Sequence, residues 1–171
     1  LPSPGVPGSP TIEGVLPLAL AIGPLKIHEI TIRLTRAPTD KPLRDTSCFS
    51  IEALTTFGVN IGPVYARVEK LGIAVTLDSG KPADQSNLGF ADLNFGLRGP
   101  LGIALAIDAK LISGGGLLYH DAAQHLYGGV LELTLRSGLS LKAFGLIATR
   151  MPDGSKGYSL IVFITAEGFN P

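Results

Sequence analysis

Four segments of this 171-residue chain alternate apolar and other residues with a strict period of two, and this most restricts what it can fold into. Ile30, Ile32 and Leu34 alternate with Thr31, Arg33 and Thr35, and Leu71, Ile73, Val75 and Leu77 alternate with Gly72, Ala74 and Thr76. The same holds for Leu101, Ile103, Leu105 and Ile107, and for Leu131, Leu133 and Leu135. Successive side chains of a strand leave on opposite faces, so each segment presents one apolar face, as antiparallel sheets with a single buried side require. The pattern predicts an all-β, mainly antiparallel domain with little helix: a meander-type sandwich, a curved sheet or a repeat-like β-stack. The second face is not simply polar, because Gly72, Ala74, Gly102, Ala104 and Ala106 lie on it, and small residues admit a close neighbour.

Gly (22) and Pro (13) punctuate the apolar runs rather than clustering, which marks turns. Asp78 to Pro82 and Pro152-Asp153-Gly154 carry turn chemistry between alternating segments. Residues 1–11, with Pro2, Pro4, Pro7 and Pro10, read as an extended arm or linker, and residues 12–171 as one domain. Short helices are expected at Ser47 to Thr56 and Asp121 to His125. The segment Tyr158 to Thr165 is apolar on both faces, which predicts a central, doubly covered strand. The alternation slips by one residue at His28-Glu29 and again at Glu69-Lys70, as β-bulges or bends produce. Gly23-Pro24, Gly62-Pro63 and Gly99-Pro100 are spaced 39 and 37 residues apart, which suggests repeat units of roughly 38 residues.

Composition disfavours several functions. Charge is low at 16% and balanced, 14 against 14, so nothing attracts a polyanion and nucleic-acid binding is not expected. No apolar stretch reaches the roughly 18 to 20 residues of a spanning helix. A membrane β-barrel is a third possibility, opposed by few aromatics, 7 Phe and 4 Tyr, for interfacial girdles. Cys48 is alone, so it reads as a small buried thiol without an intrachain disulfide or cysteine metal cluster.

Chemistry-bearing patterns are sparse. His120, Asp121 and His125 fall within six residues and could contribute to a metal site, but a site needs three or four convergent ligands, and the segment reads more simply as a polar hairpin tip. No Gly-x-Ser-x-Gly elbow is present. Ser113-Gly114-Gly115-Gly116 lacks the Lys-Ser or Lys-Thr of a phosphate loop and reads as a turn or a close backbone approach. Asp84, Asp92 and Asp108 are scattered carboxylates, and a glycosidase would need two of them facing across a cleft. The expectation is a chain without catalytic residues or cofactor.

GPVYARVE at 62–69, LGFADLNFGL at 88–97, GVLEL at 129–133 and IATRMPDGSKGYS at 147–159 occur together. With these phrases the chain, over roughly residues 57–171, resembles a domain of unknown function found in very long bacterial proteins rich in repeated β-segments. The resemblance implies one portion of a larger β-rich polypeptide and carries no catalytic residue with it. The apolar run ending near Ala166 agrees with that context. The expected function is a non-enzymatic structural or self-assembly module, partnered by copies of itself or by neighbouring segments, with an extracellular or cell-surface location favoured. The alternative is a carrier of lipid or another hydrophobic ligand in a β-lined groove.

Overall fold

The computed structural model describes residues 11–36, 48–80, 82–121, 124–151 and 153–168. Ten strands follow one another: β1 (Thr11–Ile22), β2 (Leu25–Arg36), β3 (Cys48–Ile61), β4 (Val64–Asp78), β5 (Asp92–Arg98), β6 (Gly102–Asp108), β7 (Ile112–Asp121), β8 (Leu126–Leu135), β9 (Ser140–Arg150) and β10 (Lys156–Glu167). They form one antiparallel sheet in the order β1-β2-β3-β4-β6-β7-β8-β9-β10, with β5 also on β4, and the sheet does not close. The expected all-β meander is therefore present as a single layer, without the second layer of a sandwich.

Gly23-Pro24 and Gly62-Pro63 are equivalent turns. Each joins a hairpin, Ile22 opposite Leu25 and Ile61 opposite Val64, and each Gly has φ of 58°. Glycine with positive φ at the first central position fits a type II′ turn, whose twist matches that of the flanking strands. Gly99-Pro100 is different. It interrupts a single strand line, with β5 paired to Gly72–Asp78 of β4 and β6 paired to Val64–Glu69.

That interruption belongs to a crease across the sheet. Register shifts fall between Pro17 and Leu20 on β1, between Ile27 and Glu29 on β2, and between Thr55 and Phe57 where β3 meets β4. Both slips read in the sequence, at His28 and at Glu69-Lys70, are steps of this line, and Lys70 adopts φ of 54°. Aligned bulges bend and twist the strands in concert.

Two expectations need correction. The segment Tyr158 to Thr165 is not central: it lies in β10 at the margin of the sheet, with Phe163 63% and Ile164 71% exposed. Two apolar faces signal that both sides await cover, and they do not reveal whether the cover lies within the same chain. The helix expected at Ser47 to Thr56 is strand from Cys48 onward, because β-branched and aromatic residues alternate there across two paired neighbours. At the other expected helix, Asp121 ends β7 and Gln124-His125 form a turn. A 3-10 turn, Ala83–Gln85, is the helical element among the described residues. The arm expected at residues 1–11 lies outside the described residues apart from Thr11, which begins β1.

Candidate interaction surface

Register assigns every strand residue to one of two faces. Ile12, Leu16, Ile32, Leu34, Ile51, Ile73, Val75, Phe95, Ile103, Leu105, Leu118, Leu131, Ile147, Leu160 and Val162 share one of them, called here face B. The charged side chains segregate onto the other, face A, with Arg36 at the end of β2 as the exception among the described strands.

On β1 to β4 the usual distribution of burial is inverted. Thr31 and Thr56 are each 1% exposed and Glu52 is 8%, and all three lie on face A beside Leu54 and Ala74. On face B, Ile12 is 72% exposed, Ile51 52% and Ile73 51%. The sequence leads one to expect a small, uncharged second face on β4, and Gly72 and Ala74 do form one, but the strands beside it place a charged row against it.

That row explains the inversion. The Arg33 guanidinium donates to Glu13 Oε2 through Nε at 2.9 Å and Nη2 at 2.8 Å, and to Glu52 Oε2 through Nη1 at 3.1 Å. Arg98 Nε lies 2.7 Å from Glu52 Oε1, and Lys70 Nζ donates to Glu13 Oε1 at 3.1 Å. Glu13 is on β1 and Lys70 on β4, three strand spacings or about 14 Å apart in a flat sheet. The contact requires the sheet to curl toward face A, so the polar face is concave and the apolar face convex. The Arg33 hydrogen bonds, reinforced by Lys70 and opposed by partial burial, hold the Glu13 carboxyl below its ordinary value. At the crease Thr56 Oγ1 donates to Glu29 Oε1 at 2.9 Å and accepts from the Lys70 amide at 3.3 Å.

Curling also demands small residues where strands crowd. A Cβ on Gly72 would collide with the Ala53 carbonyl, and one on Gly115 would collide with the Leu105 carbonyl. The Ser113–Gly116 run is thus a close backbone approach within β7. Tyr119 lies over Gly128, the residue opposite it on β8.

The residues singled out for chemistry do not converge. His120 lies on face B, its ring stacked on Tyr127 with centroids 4.1 Å apart. Asp121 follows on the opposite face and its Oδ1 accepts from the Gln124 amide at 3.0 Å. His125 sits in the turn with φ of 53°, and its carbonyl accepts from the Thr149 amide and hydroxyl. Among the described residues no group of three His, Cys, Asp or Glu could hold a metal ion. Asp92 and Asp108 stand at opposite ends of the β5–β6 line, roughly 50 Å apart at strand rise, and Asp84 is in the 3-10 turn. Cys48 is half-buried, and burial together with the nearby Asp78 charge pushes its thiol up. Face A of β8 to β10 carries a shallow open depression of about 420 Å³, with Val130, Phe144 and Phe163 at its floor and Glu132 and Lys142 at its side.

The feature that distinguishes this molecule is therefore a surface. Nine strand lines at about 4.8 Å spacing, built from strands of 7 to 15 residues, give face B an area on the order of 1,500 Å². The largest apolar patch of a typical monomer is about 300–600 Å².

An open antiparallel sheet whose face B exposes rows of Ile, Leu and Val defines an all-β domain. The chain belongs to a family of unknown function, DUF6603, whose model matches residues 18–171. This extends the resemblance at 57–171 back through β2 and β3. No curated protein and no solved structure matches it. No helix among the described residues is long and apolar enough to cross a membrane.

Proposed function

We propose that this domain is a non-enzymatic structural module, one portion of a longer bacterial β-rich polypeptide, that works by assembly through face B. The observation that carries this reading is the segregation of charge: side chains that would solubilise the convex face are gathered on the concave one. Face B exceeds the roughly 800 Å² per partner of a standard protein interface. Its Ile, Leu and Val rows match the aliphatic inner faces of stacked sheets, which pack about 10 Å apart. A second apolar sheet, from another copy or a neighbouring segment, is the cover of the same chemistry.

Light scattering on the size-separated protein tests this. Assemblies larger than the 17.8 kDa chain are expected, and Ile51→Glu with Ile73→Glu should disperse them. A wild-type chain that elutes as a monodisperse monomer would refute assembly and promote the carrier reading. That second reading is favoured by the apolar floor of Val130, Phe144 and Phe163, and it predicts lipid extractable from the purified protein.

A further inference from the structure

Among the described residues, the outer margins of β1, β5 and β10 have no paired strand, and they differ in how they would receive one. The margin at β1 is blunted: Pro17 has no N–H, and the register breaks between Pro17 and Leu20. That at β5 is short, Asp92–Arg98, and contains Gly96. The margin at β10 is interrupted near its start, where the register shifts between Lys156 and Ser159, and is unprotected beyond that point. It runs in unbroken register from Ser159 opposite Ala148 to Glu167 opposite Ser140, without proline or bulge. No charged residue stands between Lys156 and Glu167. A long, flat, uncharged, apolar edge pairs with another strand.

We propose that β10 pairs antiparallel with β10 of a second copy of this chain, about a two-fold axis at Phe163. The sequence is self-complementary in that register. A two-fold normal to the sheet keeps face A with face A, so Phe163 meets its counterpart, Ile161 meets Thr165, and Ser159 meets Glu167 as hydroxyl donor to carboxylate. On face B, Val162 meets Ile164 and Leu160 meets Ala166. The Phe144–Phe163 ring pair, 6.3 Å between centroids, becomes a row of four rings across the seam. No like charges are opposed. Apolar cross-strand pairs of this kind are the unit of sheet stabilisation, and the isologous arrangement closes at two copies. Edge pairing leaves face B uncovered, so it goes beyond the face-to-face reading and stands or falls separately.

The test separates the two contacts with a non-ionic detergent, which masks face B without replacing strand hydrogen bonds. In detergent, light scattering corrected for bound detergent should give twice 17.8 kDa for the wild-type chain and for Ile51→Glu, and 17.8 kDa for Phe163→Lys, which sets like charges directly opposite. In a Cys48→Ser background, Phe163→Cys should form a disulfide-linked dimer under mild oxidation, because directly opposed residues lie within disulfide reach. Leu111→Cys, exposed in the β6–β7 turn, should crosslink far more slowly. A wild-type monomer in detergent, an unchanged mass for Phe163→Lys, or equal crosslinking at the two positions would overturn the proposal. Loss of large assemblies in buffer on Ile51→Glu, with the detergent dimer intact, would uphold both contacts.

Discussion

Removing the hub of the concave charge row should cost far more than removing a lysine with two carboxylate neighbours elsewhere on the same face. Arg33 reaches two carboxylates through three hydrogen bonds of 2.8 to 3.1 Å, and its side chain is 15% exposed, against 31% for Glu13 and 11% for Glu52. Arg33→Met roughly keeps the volume and removes the shared cation from both carboxylates, leaving Glu13 with Lys70 alone and Glu52 with Arg98 alone. Breaking one partner out of a buried pair costs about 3–5 kcal/mol, and the partial exposure of Glu13 places the expectation near the lower end, about 3 kcal/mol. Lys142 is the control: 3.5 Å from Glu167, 3.9 Å from Glu132 and 47% exposed, it should cost under about 1 kcal/mol on conversion to Met. Urea unfolding followed by far-UV circular dichroism at one fixed chain concentration reads the difference. With m of about 2 kcal/mol/M, Arg33→Met should lower the midpoint by roughly 1.5 M. Equal midpoints for the two variants would refute the claim that this row holds the curl.

Two further outcomes follow from the same geometry. The Glu13 carboxyl is held below its ordinary value near 4.5, so the stability it contributes is present above that value and is lost as pH falls through its lower folded value. Glu13→Gln should flatten the acid limb of a stability-against-pH curve, and an unchanged acid limb would show that Glu13 is not coupled to folding. Gly72→Ala sets a methyl against the Ala53 carbonyl and should destabilise on the order of 3 kcal/mol, whereas Gly14→Ala, with nothing within 4 Å, should be neutral or slightly stabilising. Thermal melts of the pair decide it, and equal melting temperatures would remove Gly72 from the account of the curvature.

Strand identity was legible because period two is a local property, visible in Leu71 to Leu77 without knowledge of any neighbour. The bulges at His28 and Lys70 were legible for the same reason, since each shifts the phase of its own strand. Neighbour-dependent facts were not. That Glu13, Arg33 and Glu52 form a row follows from pairing Glu13 with Arg33 and Arg33 with Glu52, a register that spans almost forty residues of chain. The third Gly-Pro pair looks like the first two and yet breaks a strand instead of turning a hairpin, because its partner is the bulge at Glu69-Lys70 on β4 and not its own next strand. The His120 segment failed as a ligand cluster by the rule that identified the strands: adjacent residues of β7 leave on opposite faces.

The crease and the charge row together account for how an apolar convex face persists in a folded chain. A flat single layer with one apolar side would gain by folding back on itself, burying its Ile and Leu rows against each other. Here the bulges at Leu18-Ala19, His28 and Lys70 bend the β1–β4 half toward its polar side, and the ion pairs from Glu13 to Arg98 lock that direction. Closing the sheet around face B would require reversing the bend and separating those pairs. On the proposed assembly reading, the curvature leaves the apolar face to an external partner and presents it already shaped, which lowers the ordering cost of association. It follows that Arg33→Met should weaken assembly through face B although Arg33 lies on the other face, and should leave crosslinking at Phe163→Cys, seven strands away on the meander, unaffected.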